Sequence, residues 1–149
     1  MKLRIYLDTS VFGAFQDDRL PDRQTATQEF WARLTDFDAA TSDLARQELA
    51  QAPDESLRRR LLEMLAQVTV HPVTAEMRQL ALKYVDAAAF GSAVLNDAIH
   101  VAAAVLTHQD VLVSWNFKHL VNRRRRAVVN QVNVLSGLPM IEIVAPPEV

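Results

Sequence analysis

Apolar and polar side chains alternate at the start of the chain, where Leu3, Ile5 and Leu7 are separated by an arginine and a tyrosine. This two-residue period predicts a β-strand. A weaker strand is predicted at residues 37–40, because a helix start at residues 41–43 follows it directly. Three further strands are predicted from runs rich in β-branched residues, each followed by a polar residue or a proline, at residues 68–70, 111–113 and 141–144.

Between these runs, apolar residues recur every three or four positions, which is the period of an amphipathic helix. Three such stripes are Phe30, Trp31 and Leu34; Leu57, Leu61, Met64 and Leu65; and Met77, Leu80, Ala81, Tyr84, Val85 and Ala88. Residues 98–106 leave almost no polar face, which is typical of a helix covered on most sides within a domain. The polar residues at this helix, Asp97 and His100, therefore require an explanation.

Short strands that alternate with helices of ten or more residues predict parallel strands joined by helical crossovers. We therefore expect an α/β fold, a three-layer α/β/α sandwich around a mainly parallel sheet of about five strands. No linker long enough to separate two domains interrupts the pattern. Residues 1–149 are predicted to form one domain, with residues 144–149 as a short tail.

The composition of the 149 residues excludes several classes of protein. The three glycines are far apart, so the chain has no glycine-rich phosphate loop of the Rossmann or P-loop kind. The absence of cysteine excludes disulfide frameworks, thiolate zinc sites and iron–sulfur clusters. Any bound metal must therefore be held by oxygen or imidazole.

Charge and hydropathy indicate where such a protein works. The first residues lack the uninterrupted apolar segment of a signal peptide, and no apolar stretch approaches the ~20 residues of a membrane span. A cytoplasmic protein is expected. The net charge of −2 gives no overall attraction to nucleic acid, although a local basic patch would be sufficient.

Polar side chains follow the predicted strands at the carboxyl ends, where ligands bind to open parallel sheets. Asp8 directly follows the first strand, and Asn116 follows the strand at residues 111–113. Asp97 lies at the predicted start of the apolar helix, where Asn96 is a good N-cap. A carboxylate there is unfavourable unless it meets a cation, hydrogen-bond donors or water. A cation shared with Asp8 would offset both charges.

Each of these acids also has a purely structural interpretation. Asp8 can accept hydrogen bonds from the turn while Thr9 or Ser10 caps the next helix. Asp97 in a first helical turn is favoured by the helix dipole alone. Glu48, at the border of an apolar stripe, is interpreted by periodicity as a surface glutamate. The residues by themselves leave these interpretations open.

Four segments nevertheless occur in a characteristic order: Leu7-Asp8-Thr9-Ser10, then Glu48 in a helix, then Asn96-Asp97-Ala98-Ile99-His100, then Ser114-Trp115-Asn116-Phe117-Lys118-His119-Leu120. Together they resemble the motifs of PIN-domain ribonucleases, and in particular the VapC toxins of bacterial and archaeal toxin–antitoxin pairs. The likeness runs from about residue 2 to residue 143. Each motif is weak alone, and their order makes the resemblance specific.

The resemblance implies a metal-dependent endoribonuclease, with Asp8, Glu48 and Asp97 at the family's three acidic positions around Mg²⁺ or Mn²⁺. Many members have aspartate at a fourth catalytic position, where this chain has Asn116; an amide oxygen can still ligate a hard cation or orient its water. The expected reaction is in-line attack on RNA by water activated at the cation, which leaves a 5′-phosphate and a 3′-hydroxyl. The resemblance also implies a cognate antitoxin and a homodimer.

Neighbouring side chains are assigned supporting roles. Thr9, Ser10 and Ser114 carry hydroxyls that can hold a carboxylate or a phosphate. His100 is interpreted as a hydrogen-bonded core residue rather than a ligand, because hard magnesium sites favour oxygen.

RNA contacts are predicted after the fourth strand. Lys118 and His119 follow Asn116 closely enough to touch a bound strand, although a solvated loop would contain them too. At least one of Trp115 and Phe117 is predicted to pack into the core, so base stacking on both is not expected. A basic run then begins a helix against the preference of the helix dipole, which favours an anionic partner. It consists of Arg123, Arg124, Arg125 and Arg126.

Two other functions are considered. The first is a PIN-like domain that binds RNA or protein and is catalytically weak or inactive, because the charge at Asn116 is missing. The second is a phosphatase of the haloacid-dehalogenase type, which also has an aspartate at the end of its first strand. That chemistry requires a second aspartate two residues later, where this chain has Ser10.

Overall fold

The computed structural model describes residues 1–87 and 89–149, and within them five strands alternate with seven helices. The strands are β1 (Leu3–Leu7), β2 (Phe37–Ser42), β3 (Thr69–His71), β4 (Val111–Val113) and β5 (Glu142–Val144). The helices are α1 (Thr9–Gln16), α2 (Pro21–Ala32), α3 (Asp43–Leu49), α4 (Glu55–Met64), α5 (Ala75–Asp86), α6 (Leu95–Leu106) and α7 (Arg123–Leu135). Short 3₁₀ turns occur at Leu34–Asp36, Leu65–Gln67, Ser92–Val94 and Pro146–Glu148.

The five strands form one parallel sheet in the order β3-β2-β1-β4-β5. The predicted α/β sandwich with a mainly parallel sheet of about five strands is confirmed. The weak run at residues 37–40 is indeed a strand, and pairing with both neighbours extends it to Ser42. Because β1 is central, its carboxyl end lies between those of β2 and β4.

Alternating side chains of the strands build a separate core on each face of the sheet. On one face, Ile5 and Leu7 of β1 pack with α1, α2 and α4. On the other face, Tyr6 and Leu112 pack with α5, α6 and α7. Residues 98–105 of α6 are all buried, so the prediction of a helix covered on most sides is confirmed.

The last residues pack back onto the domain. Ala145 and Pro146 are buried, and the Arg33 side chain donates to the Val149 carbonyl at 3.1 Å. Ala88, which the periodicity assigns to the stripe of α5, lies outside the described residues. Within residues 1–87 and 89–149, no helix combines the length and the apolar character needed to cross a bilayer.

Candidate functional site

The carboxyl ends of β1 and β4 bring Asp8 beside Ser114. Leu7 is paired with Val113 across the two parallel strands, and the Asp8 amide continues the pairing by donating to the Val113 carbonyl at 3.2 Å. The next residues of both chain segments, although more than 100 positions apart, therefore meet at this edge of the sheet. The side chains of Asp8 and Ser114 are in direct contact there.

Asp8 is held by hydroxyl groups and is nearly inaccessible, with 4% of its surface exposed. Its Oδ1 accepts from the Ser10 amide at 3.2 Å and from Ser10 Oγ at 2.5 Å, and its Oδ2 accepts from Ser114 Oγ at 3.0 Å. Asp8 is itself the N-cap of α1, so the alternative in which Thr9 or Ser10 caps that helix is wrong. The helix already begins at Thr9, because Asp8 is the last residue with extended backbone angles.

Asp97 lies half-buried in the first turn of α6. The prediction that Asn96 caps this helix is wrong, since α6 begins at Leu95 with Val94 at its N-cap. The preceding 3₁₀ turn runs directly into the helix and starts it earlier than the sequence suggests. The Asn116 side-chain amide donates to Asp97 Oδ2 at 3.5 Å, a long contact that joins α6 to the segment after β4.

Burial and like charge make ionised Asp8 and Asp97 unfavourable. Burial raises the pKa of Asp8, the nearby Asp97 charge raises it further, and His100 and the two serines oppose the rise. Burial also raises the pKa of Asp97, against the opposing charges of His100 and His119. No Lys or Arg side chain in the described part of the chain forms a salt bridge with either aspartate.

Glu48 occupies a different environment, at the end of a buried hydrogen-bond chain. Its Oε1 accepts from Thr9 Oγ1 at 2.8 Å and lies 2.6 Å from His100 Nε2. His100 is 2% exposed, and its Nδ1 lies 2.7 Å from the Tyr6 hydroxyl, which in turn lies 2.7 Å from Ser42 Oγ. The interpretation of His100 as a hydrogen-bonded core residue is confirmed.

The His100 contact decides the charge of Glu48. Burial raises the pKa of Glu48, but the hydrogen bond and charge of His100, together with the Thr9 hydrogen bond, outweigh it, and the net pKa is lowered. The Glu48 side chain is 30% exposed, so this carboxylate is neither the free surface group that its periodicity indicates nor a core residue. It is an ionised group held at the border of the site.

Asn116 organises the segment after β4. Its side-chain Oδ1 accepts from the His119 backbone amide at 2.9 Å, and its own backbone N–H donates to Ser114 Oγ at 2.9 Å. The amide oxygen thus stabilises the turn, and the amide nitrogen is the group near Asp97. The catalytic role predicted for Asn116 stays a prediction.

The donor set fits a hard divalent cation only in part. Asp8 and Asp97 offer carboxylate oxygens, which Mg²⁺ prefers, and Mg²⁺ commonly keeps several waters beside one or two carboxylates. A cation between them would offset the negative charge of Asp97, which raises the pKa of Asp8. No group of three or more His, Asp and Glu side chains within the described ranges is arranged as a metal cluster. The arrangement offers two acids for direct ligation, with Glu48 bound to His100 and Thr9.

The residues predicted to contact RNA occupy three environments. Lys118, Arg123 and Arg124 are exposed. Arg125 and Arg126 have protein partners: Arg125 donates to the Ala89 carbonyl at 3.1 Å, and Arg126 donates to the Ile143 carbonyl of the edge strand at 2.8 Å. His119 is half-buried near Asp97, and its Nδ1 has no hydrogen-bond partner among the described residues. The basic run therefore begins α7 as predicted, with its first two arginines exposed to solvent.

Sequence reasoning missed three residues that shape this site. Tyr6 and Ser42 continue the chain from His100, and Arg23 of α2 lies against Trp115. The available signal for Tyr6 was a hydroxyl-bearing side chain between the two apolar residues Ile5 and Leu7. Ser42 is predicted as part of a helix start, so nothing in the local pattern indicates its role. No pattern indicates a role for Arg23 either.

The comparisons with known proteins agree with this architecture. Residues 5–119 match the model of the PIN domain family, and the chain belongs to that family. No curated protein matches it. Among solved structures, a toxin–antitoxin complex from Klebsiella pneumoniae is 17% identical, with a TM-score of 0.60 over 81% of this chain and 93% of that chain.

Two further structures are similar at lower identity. VapC20 from Mycobacterium tuberculosis, a toxin that cleaves the sarcin–ricin loop, is 16% identical, with a TM-score of 0.61 over 77% of this chain and 92% of that chain. The DNA-bound VapBC from Salmonella typhimurium is 13% identical, with a TM-score of 0.56 over 97% of this chain and 98% of that chain. At these identities the likeness concerns the fold.

Proposed function

We propose that this protein is a toxin-type endoribonuclease that hydrolyses RNA phosphodiester bonds with Mg²⁺ or Mn²⁺. The observation that carries the proposal is the pair Asp8 and Asp97. In a chain of the PIN family, two carboxylates of raised pKa lie at the carboxyl edge of the sheet without a salt-bridge partner among the described residues. A divalent cation is the partner that such a pair requires.

Each side chain of the site then has a task. Ser10 and Ser114 fix the two oxygens of Asp8, and the Asn116 amide orients Asp97. Glu48, ionised and held by His100, is assigned the role of holding water rather than the cation itself. A bound divalent cation supplies an activated water and neutralises charge on the phosphate. The expected products carry a 5′-phosphate and a 3′-hydroxyl.

The partners follow from the similar structures, several of which are toxin–antitoxin complexes. We propose that a cognate antitoxin neutralises this protein, that it forms a homodimer and that it acts in the cytoplasm. Expression without the antitoxin is then expected to arrest growth, and Asp8→Asn should relieve the arrest. Normal growth during expression of the folded wild-type protein would contradict the toxin assignment.

A second candidate function is a PIN-like binding domain without catalysis. It is favoured by Asn116, whose oxygen is used within its own turn, and by the lack of a three-residue metal cluster among the described residues. The two functions differ in one respect that is easily measured: only the nuclease consumes RNA in a metal-dependent reaction.

The decisive experiment incubates the purified protein with structured RNA in Mg²⁺ or Mn²⁺, and then in EDTA. Asp8→Asn and Asp97→Asn are each expected to reduce cleavage by about 100-fold or more, because loss of groups that merely support a metal ligand already costs 10–100-fold. Asp38→Asn is the matched control, since Asp38 is exposed near the opposite end of β2. Cleavage that survives Asp8→Asn, or 2′,3′-cyclic phosphate products, would overturn the assignment.

A further inference from the structure

A small slot opens beside the acidic site, between α1, the start of α2 and the segment after β4. Its volume is about 260 Å³. Ala14, Leu20 and Trp115 give it apolar walls, Arg23 gives it a cationic one, and Asp17 adds an acidic group to its lining. Ser10 and Asn116 line the same slot, and these are the residues that bond Asp8 and Asp97. The slot is thus continuous with the groups proposed to act on the phosphate.

Arg23 lies in the angle between two aromatic rings. Its guanidinium carbon is 4.9 Å from the centroid of the Trp115 ring and 5.7 Å from that of Phe117. Its guanidinium forms no hydrogen bond or salt bridge within the described residues, so its N–H donors are available. The nearby Asp17 is already bound by Arg19, whose Nε lies 2.9 Å from Asp17 Oδ1. The positive charge of Arg23 is therefore not neutralised by its acidic neighbour.

The aromatic part of this surface is partly open, and the expectation that Trp115 or Phe117 packs into the core is wrong, since neither is among the buried core residues. The Trp115 indole N–H donates to Thr27 Oγ1 at 2.8 Å, and the Trp115 amide donates to Ser10 Oγ at 2.9 Å. Phe117, with its ring centroid 6.1 Å from that of Trp115, is 47% exposed. Aromatic rings combined with an arginine form the surface on which unpaired bases stack with little sequence preference.

We propose that this slot binds one unpaired nucleotide of the RNA, adjacent to the bond that is cleaved, and that Arg23 donates to its acceptor atoms. The inference rests on the proposed ribonuclease function and adds which residues hold the nucleotide beside the cleaved bond. A guanidinium held by two rings presents its donors in a fixed plane, which suits phosphate or base oxygens better than a flexible ammonium. A paired base cannot enter, because its faces and its pairing edge are already occupied.

The binding test uses a short single-stranded RNA of mixed sequence in EDTA, with quenching of tryptophan fluorescence as the readout. Trp115 reports on the slot, because the other tryptophan, Trp31, is buried. Arg23→Ala and Phe117→Ala are each expected to weaken binding about tenfold, in the range found for base-stacking residues. Arg33→Ala is the matched control, since Arg33 also lies over an aromatic ring, 5.6 Å from the centroid of Phe37, but beyond the other end of α2. Its binding should equal that of the wild type.

The kinetic test separates positioning from folding. Arg23→Ala should raise KM for a single-stranded substrate about tenfold and change kcat little, and Arg23→Lys should recover only part of the loss. Thermal denaturation verifies that each variant is folded. Equal RNA binding and equal KM in folded Arg23→Ala would overturn the slot, whereas the nuclease assignment would stand. A wild type that binds RNA through Arg23 but cleaves none with any divalent cation would retain the slot and refute the proposed function.

Discussion

The two sides of the acidic site are built in opposite ways. Burial raises the pKa of Asp8 and Asp97, and neither forms a salt bridge within the described chain. Glu48 is also partly buried, yet His100 and Thr9 lower its pKa. The side with Asp8 and Asp97 is left unsatisfied by the protein, whereas the side with Glu48 is satisfied by the protein alone. The cation that we propose would offset the charge of the unsatisfied side, and the satisfied side already holds an ionised carboxylate.

The largest expected effect on stability is at His100, which supports the satisfied side. His100→Ala should lower the free energy of unfolding by about 2–4 kcal/mol, because it leaves a cavity and removes a partner from both Glu48 and Tyr6. Urea denaturation at neutral pH measures the loss. His71→Ala in β3 is the control, with an expected loss below about 1 kcal/mol, since His71 is only half-buried. Equal losses in the two variants would mean that the buried hydrogen-bond chain through His100 adds no stability of its own.

The second effect concerns the unsatisfied side. Mg²⁺ at about 100 times its Kd should stabilise the folded protein by about 2.7 kcal/mol, seen as a rise in Tm. Asp8→Asn should remove most of this rise, and Glu48→Gln should keep most of it, because His100 and Thr9 already hold Glu48. Asp38→Asn should keep all of it. A Tm rise that persists in Asp8→Asn would place the cation elsewhere.

A third, smaller effect is measured in EDTA: neutralising Asp8 and neutralising Glu48 should change the stability of the fold in opposite directions. The folded pKa of Asp8 is raised, so its ionisation destabilises the fold as pH rises from the ordinary aspartate range through that pKa. Asp8→Asn should therefore stabilise the protein at neutral pH. The folded pKa of Glu48 is lowered, so its contribution is present above the ordinary glutamate range and is lost as pH falls through the folded pKa. Glu48→Gln should therefore destabilise at neutral pH.

Thermal denaturation from about pH 3 to pH 8 checks these signs, with each variant compared with the wild type at every pH. The difference for Asp8→Asn should shrink as the pH falls, because wild-type Asp8 then becomes protonated and neutral like the amide. The stability difference between Glu48→Gln and the wild type should also shrink at low pH, but it starts as a loss of stability rather than a gain. Two variants with the same sign at neutral pH would show that the two sides do not differ as the contacts indicate.

The elements of the fold are predictable because each carries its own pattern. β4 lies at residues 111–113 as predicted, and the predicted runs at 68–70 and 141–144 are displaced by a single residue or less at each end. The order of the strands in the sheet is not predictable in this way. It depends on which helix faces fit together, and no local pattern encodes it. The prediction that Asn96 caps α6 was wrong for the same reason. No local pattern encodes the 3₁₀ turn that precedes α6 and starts the helix at Leu95.

The site is predictable where it follows directly from strand ends, and not where it depends on contacts across the core. Asp8 and its partner Ser114 follow paired strands. Glu48 is selected only by family resemblance, because its inward contact with His100 joins residues 52 positions apart. The division of the acids into two environments was not predicted. It arises from the His100 and Thr9 contacts of Glu48, which form only when separate helices pack together.

The smallest expected effect concerns the basic run, which lies on the unsatisfied side, since the charge of Arg125 lowers the pKa of Asp97. Arg123 and Arg124 are exposed, so replacing both with alanine should weaken RNA binding across sequences. The slope of log K against log salt should flatten by about 1.4, at about 0.7 for each phosphate contact of a single strand. The double variant Arg59→Ala with Arg78→Ala removes two exposed arginines elsewhere and should keep the wild-type slope. Equal slopes in the two double variants would make the run a solvated helix start with no part in RNA binding.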